Sequence, residues 1–180
     1  MIKKILILLL FFCCNPVFAT GYDIFSFGLY DIRKWEESGS QPSEAYDWRY
    51  ERRFDNSIFA IGPESENFFI AKPFLGIELT SDDAYHIIGG FYLEDNLGTL
   101  FTGEESNFII TPSFGGGYYD DGGGKNLGHS IEFRTAIEIS YQLVNKNRIG
   151  FSLSHTSNAN IGDKNPGVET ISLSYQIPFN

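Results

Sequence analysis

The stretch Ser130–Val144, SIEFRTAIEISYQLV, decides the fold, because its polarity repeats every second residue. Ile131, Phe133, Ile137, Ile139, Tyr141 and Leu143 fall on one side of an extended chain, and Glu132, Arg134, Glu138 and Gln142 on the other. Successive side chains of a strand point to opposite faces, so the pattern predicts a strand with one apolar and one charged face. The same alternation recurs in Ala45–Phe54, where Tyr46, Trp48, Tyr50 and Phe54 oppose Asp47, Arg49, Glu51 and Arg53. Arg52 is the exception, falling on the apolar side. In Phe68–Thr80, Leu75, Ile77 and Leu79 oppose Lys72 and Glu78.

Outward from these three, the chain divides into about eight segments rich in aromatic and β-branched residues, separated by clusters of Gly, Asp, Asn, Ser and Pro. The other five are Ile24–Arg33, Tyr85–Glu94, Phe108–Tyr119, Arg148–Ser157 and Gly167–Phe179. Several exceed the ~5–6 residues of an ordinary strand and match the ~9–11 that cross a bilayer. A soluble sandwich also alternates, so alternation alone leaves both architectures open. Two features favour the membrane barrel. The charged faces carry both signs, as the packed interior of an eight-stranded barrel requires, and aromatics such as Tyr141, Tyr175 and Phe179 stand near strand ends, as in an interfacial girdle. The ending Tyr175-x-x-x-Phe179 also resembles the last strand of bacterial outer-membrane barrels, with Asn180 following the Phe. The expected fold is all-β, an eight-stranded antiparallel transmembrane β-barrel.

Composition agrees. The 180 residues include 17 Phe, 10 Tyr and 19 Gly against 1 Met, a bias toward strands and turns rather than helices. A formal charge of −10 and a pI near 4.6 lack the basic footprint of a phosphate-backbone binder, so no nucleic-acid partner is expected. Residues 1–19 read as a signal peptide: Lys3 and Lys4 precede the apolar run Ile5–Cys14, and Val17-Phe18-Ala19 offers a cleavage site. The barrel domain is then 20–180, and removal of two lysines takes its formal charge to −12. Both cysteines, Cys13 and Cys14, lie in the removed segment, which leaves no thiol chemistry. After Ala19 no apolar run approaches the ~18 residues of a helical anchor.

The residues that could carry chemistry sit at the end of the seventh segment and the start of the eighth. His155 and Ser157 share a side with Ile149, Phe151 and Leu153, and Glu169 shares a side with Ile171, Leu173, Tyr175 and Ile177. All three polar groups therefore project from the lipid-facing side. If Ile149 pairs with Tyr175 and Phe151 with Leu173, the same register sets His155 opposite Glu169. Directly paired residues have Cβ atoms ~4.5–5.5 Å apart, within hydrogen-bonding reach for His and Glu. Ser157 follows on the same face, ~6.6 Å along the strand. The three groups supply a nucleophile, a base and an orienter. A polar loop rim with no activity is the other reading of these residues. With the amino terminus in the periplasm, the end of strand seven faces the exterior, and lipid A acyl esters of the outer leaflet are the adjacent substrate.

At these residues the sequence resembles the outer-membrane lipid A 3-O-deacylase family (PagL-like, related to acyloxyacyl hydrolases). The block His155-x-Ser157-Asn158-Ala159, the block Asn165-Pro166-Gly167-x-Glu169 and the ending Leu173-x-Tyr175-x-Ile177-Pro178 carry the likeness. Upstream, Lys72-Pro73-Phe74-x-Gly76, Thr111-Pro112-Ser113-Phe114-Gly115 and Gly124-Lys125-Asn126-Leu127-Gly128, leading to Glu132-Phe133-Arg134, extend it. The resemblance implies an outer-membrane serine esterase with Ser157 as nucleophile, His155 as general base and Glu169 orienting the imidazole. Asn165, and less directly Asn158, would stabilise the oxyanion. It implies lipid A or lipopolysaccharide as substrate, a monomer or homodimer, and no metal or other cofactor. The alternative is a catalytically inert small barrel with a structural or adhesive role.

Other patterns are weaker. Gly122-Gly123-Gly124-Lys125 lacks the Ser/Thr and glycine spacing of a phosphate loop and reads as an exposed turn. Asp120-Asp121 lacks calcium-loop spacing and reads as a loop tip. His86 and Glu94 share a charged face and His129 lies in a loop, none with a metal-ligand pattern. Arg134 and Glu138, on one inward face, are expected to pair.

Overall fold

The alternating segments become antiparallel strands that close into a ring. In the computed structural model of the chain, residues 20–33, 43–61 and 69–180 are described. The wall is built from β1 (Gly21–Leu29), β2 (Tyr46–Phe54), β4 (Phe69–Thr80), β5 (Tyr85–Tyr92), β7 (Phe108–Asp120), β8 (Ile131–Gln142), β9 (Arg148–Ser157) and β10 (Val168–Phe179). The spatial order β2-β1-β10-β9-β8-β7-β5-β4 is closed by pairing of β4 with β2, which removes both sheet edges. Closure into an eight-stranded antiparallel barrel agrees with the expectation drawn from the two-signed charged faces and the aromatic strand ends.

Two small strands and one helix lie off the wall: β3 (Phe59–Ile61) pairs with β4, β6 (Asp95–Asn96) pairs with β7, and α1 (Leu97–Thr102) follows β6. Asn96 caps α1 by accepting from the N–H groups of Gly98 and Thr99. These elements are too short to leave a periodic signal. Strand β1 also begins and ends earlier than its apolar segment, because the chain turns at Asp31 (φ 54°) and leaves the wall. The signal-peptide expectation falls on residues 1–19, outside those described.

The outer face is a belt of Phe25, Phe27, Leu75, Ile137, Ile139, Phe151, Leu153 and Leu173, all exposed. Tyr46, Trp48 and Tyr118 stand at one rim, and Phe108, Tyr141 and Tyr175 at the rim that carries the chain termini. An exposed apolar belt with an aromatic girdle at each edge is the surface of a transmembrane barrel. Arg52, the outward exception, lies at the terminal rim, 3.7 Å from Asp23 and stacked over the Phe179 ring at 4.0 Å.

The lumen is filled by side chains of complementary size. Long charged groups from β2, β4 and β8 meet small hydroxyls, Ser152, Ser154, Thr156, Thr170, Ser172 and Ser174, from β9 and β10. Arg49 donates to Glu78 at 3.0 Å, Arg134 donates to both Glu78 and Glu51, and Arg53 donates to Glu51 and Glu138. Arg134 and Glu138 therefore do not pair with each other. Four residues along one strand separate them by ~13 Å, and each finds its partner across the lumen instead.

The rim opposite the termini is covered. Tyr30, Ala45, Ala84, Tyr119, Leu127 and Val168 form an apolar cluster there. Lys125 is not in an exposed turn. Its ammonium is fully buried and donates to Asp31 at 2.8 Å, while Asp31 also accepts from the Ser43 N–H. The Tyr30 and Tyr119 hydroxyls meet at 3.1 Å, and Tyr119 donates to the Lys125 carbonyl. Complete burial, with the Tyr119 hydroxyl beside it, pushes the Tyr30 phenol well above its usual range. Glu94 at the terminal rim pairs with Arg148 at 2.7 Å, and His129 accepts from the Ile131 N–H at 2.9 Å.

Candidate active site

Strands β9 and β10 bring the three candidate groups together in the register that parity demands. Ile149 pairs with Tyr175, Phe151 with Leu173, and His155 with Glu169. His155 Nδ1 lies 3.2 Å from Glu169 Oε1, with the imidazole 46% exposed and the carboxylate 13% exposed. An ionised carboxylate only accepts, so in the neutral imidazole this contact assigns the proton to Nδ1 and the lone pair to Nε2.

Ser157 ends β9, two residues beyond His155 on the same outer face. The two line a shallow cleft of about 240 Å³ with Phe114, Phe133, Thr135 and Ala159. The Phe114 and Phe133 rings stack at 6.1 Å with planes only 9° apart, forming an apolar wall beside the hydroxyl. A cleft open to the lipid belt and walled by aromatics suits an acyl chain better than a polar ligand.

Directly after Ser157 the chain reverses. Ala159 and Asn160 both take left-handed backbone angles, φ 54° and 63°, which are uncommon for residues with a Cβ. Such strain persists where the surroundings over-determine it. Here Asn165 Oδ1 accepts from the Asn158 N–H at 3.0 Å, and Asn165 Nδ2 donates to Asn160 Oδ1 at 3.2 Å. Asn165 thus lies at the mouth of the turn, beside the strand end that carries Ser157. Asn158 does not share that position. Its side chain is fully buried and turned inward, where Nδ2 donates to the carbonyls of Leu127 and Lys164. Parity explains this placement, since the residue after an outward-facing serine must face in.

Two site residues carry no signal of their own in the strand pattern. Arg33 donates to Glu169 Oε1 at 3.5 Å, and the Ile32 N–H donates to the Glu169 carbonyl at 3.0 Å, so the first loop also holds the carboxylate. Gly167 adopts φ 63°, and a Cβ there would stand 2.8 Å from His155 Cε1. Only glycine gives both that backbone angle and that clearance. Its place two residues before Glu169 was the one available hint.

Comparison with known proteins converges on one family. Residues 33–178 match the family model of the lipid A 3-O-deacylase, PagL. The chain is 38% identical over 55 residues to the lipid A deacylase PagL of Bordetella bronchiseptica, a stretch covering 31% of each protein. It is 38% identical over 57 residues to the lipid A deacylase PagL of Pseudomonas aeruginosa, covering 32% of this chain and 33% of the relative. The matched stretches thus span about a third of those relatives. Among solved structures, the outer membrane enzyme PagL superposes with a TM-score of 0.61 at 18% identity, over 88% of this chain and 99% of the other. A de novo designed transmembrane β-barrel superposes at 0.52 with 8% identity, over 89% and 95%. At those identities the two structural likenesses speak for the fold.

Proposed function

Because this chain belongs to the lipid A 3-O-deacylase (PagL) family, we propose that it is an outer-membrane esterase that removes an ester-linked acyl chain from lipid A, through a Ser157–His155–Glu169 triad. The observation that carries this reading is the His155–Glu169 contact across β9 and β10, with Ser157 next on the same lipid-facing side. Polar and ionisable groups on that side cost up to ~2–4 kcal/mol for a charge at the midplane and less near the rim. A structural role calls for none of them. Their joint presence beside an aromatic-walled cleft matches the chemistry of a lipid ester.

In the reaction, His155 Nε2 takes the proton of Ser157 Oγ as the oxygen attacks the ester carbonyl. Glu169 holds the imidazole by its Nδ1–H and favours the imidazolium that forms. The tetrahedral intermediate carries its negative charge on the former carbonyl oxygen, and we assign its stabilisation to the Asn165 amide, whose position at the turn after Ser157 supports that role. Collapse breaks the ester C–O bond and expels the sugar oxygen, which takes the proton from the His155 imidazolium to leave as a hydroxyl, with the acyl group now on Ser157. Water, deprotonated by His155, attacks the acyl carbon; the Oγ–acyl bond then breaks, Ser157 Oγ regains the proton from His155, and the fatty acid leaves. Asn158, turned inward, takes no part in oxyanion stabilisation through its side chain. The substrate lies in the outer leaflet, which puts the rim opposite the termini outside the cell; position 3 of lipid A is the bond the family name specifies.

Mass spectrometry of lipid A from cells expressing the wild type or Ser157→Ala tests this. Loss of one hydroxyacyl mass with the wild type alone is expected. Unchanged lipid A with both, the barrel being folded in the outer membrane, would sink the assignment in favour of an inert structural barrel.

A further inference from the structure

Directly behind the proposed nucleophile, on the lumen side of the wall, two buried groups face each other without a hydrogen between them. One is the Asn158 amide. Its Nδ2 donates to Leu127 O at 2.7 Å and Lys164 O at 2.8 Å. Those two carbonyls fix the amide's orientation, because the flipped form would set oxygen against oxygen. Asn158 Oδ1 is thereby committed as an acceptor, yet no donor among the described residues reaches it.

The other group is the Glu132 carboxyl. Glu132 is 0% exposed, and neither of its oxygens has a hydrogen-bond partner among the described residues. The β8–β9 register pairs Phe133 with Ser157, and one step further it carries Glu132 to Asn158. The Asn158 side chain and the His129 main chain both lie close enough to act on the carboxyl, although neither meets it in hydrogen-bond geometry. No guanidinium or ammonium among the described residues pairs with it. The nearest arginine along β8, Arg134, is engaged with Glu51 and Glu78. His86, buried against the Tyr119 ring, approaches the Glu132 main chain rather than its carboxyl.

A buried carboxylate without a cation or a donor is among the costliest groups a protein can hold, and an orphaned amide oxygen beside it compounds the cost. One hydrogen resolves both. Of the two groups only the carboxyl can carry it. We infer that Glu132, as a carboxylic acid, donates to Asn158 Oδ1 and is a positioning residue for the catalytic strand end. Asn158 passes the constraint on: its own N–H donates to Asn165 Oδ1, and its Cα is bonded through one peptide to Ser157. Glu132 thus locks the nucleophile and the oxyanion amide against the barrel wall from behind, without touching substrate. This inference rests on the reading of Ser157 as nucleophile.

The test compares Glu132→Gln with Glu132→Leu in the full-length barrel folded in detergent micelles, with lipid A as substrate and Ser157→Ala as the control. Gln keeps a donor for Asn158 Oδ1, and Leu removes it at similar size. The expected result is turnover within about threefold of wild type for Gln and a loss in kcat of about a hundredfold for Leu, with KM unchanged, as misplacement by about an ångström produces. Equal losses in both variants, or full kcat in the Leu variant, would overturn the inference. Should Leu fail to fold, infrared difference spectra of wild type minus Glu132→Gln decide: a protonated-carboxyl C=O band belonging to Glu132 supports the proposal, and its absence overturns it. Activity surviving in Ser157→Ala would instead remove the nucleophile reading, while the infrared band would still report on Glu132.

Discussion

Ionisable side chains occur on both faces of this barrel wall, and the two sets obey different rules. On the inner face Arg49, Arg53 and Arg134 are buried, and each donates to at least one carboxylate that also accepts from another group. On the outer face His155 makes one such contact and keeps nearly half its surface open. Closed reciprocity inside fills space and specifies which strands face each other across the lumen. Open valences outside leave work for a ligand to finish. The same residue types therefore read as architecture or as chemistry according to the side of the strand they leave from.

Four substitutions sharpen or break this contrast. The largest effect is expected on the outer face, where Ser157→Ala should cut ester hydrolysis by about 10⁴-fold or more. Its heat-modifiable migration in gels should stay unchanged; a variant that loses both would erase the distinction between the faces. The inner face should answer in the opposite currency. Arg134→Met withdraws the guanidinium shared by Glu51 and Glu78 and should cost about 3 kcal/mol of stability. Urea unfolding in lipid vesicles reads that loss, and any hydrolysis by the folded fraction should remain near wild type.

Gly167→Ala tests the seam between the two. The added Cβ meets the His155 ring and forces an alanine into φ 63°, a conformation costing roughly 1–2 kcal/mol. A fall in kcat of about tenfold is expected from displacement of the imidazole, and kinetics equal to wild type would show that His155 has room to spare. Arg33→Gln should matter least. Its contact with Glu169 is 3.5 Å long and half exposed, so a change in kcat within about threefold is expected. A larger loss measured at saturating lipid A would promote Arg33 to a necessary partner of the carboxylate.

Much of the wall was legible in advance because a strand's period of two is a local property. Ile131 to Leu143 and Ile149 to Ser157 declare their faces within a dozen residues, and matching apolar sides of one hairpin was enough to align His155 with Glu169. What parity could not supply is anything that closes over the lumen. Arg134 and Glu138 looked like partners because they share a face, but the chain's closure brings Glu51, Glu78 and Arg53 between them. Lys125 looked like part of a glycine-rich exposed turn, and only the folding of that loop onto Asp31 buries it. Asn158 is a different case. Its inward direction follows from the parity that turns Ser157 outward, and the likeness to a family motif drew it toward the oxyanion when the strand pattern already placed it behind the wall.

The packed lumen has a consequence for the membrane that holds it. Arginine and glutamate side chains interlock across the bore, and the buried Lys125–Asp31 pair closes one end beneath a lid of tyrosines. Among the described residues, the bore is occupied by these side chains along most of its length. A bore filled in this way should carry little current, and single-channel recording of the barrel in a planar bilayer should show no steady conductance steps.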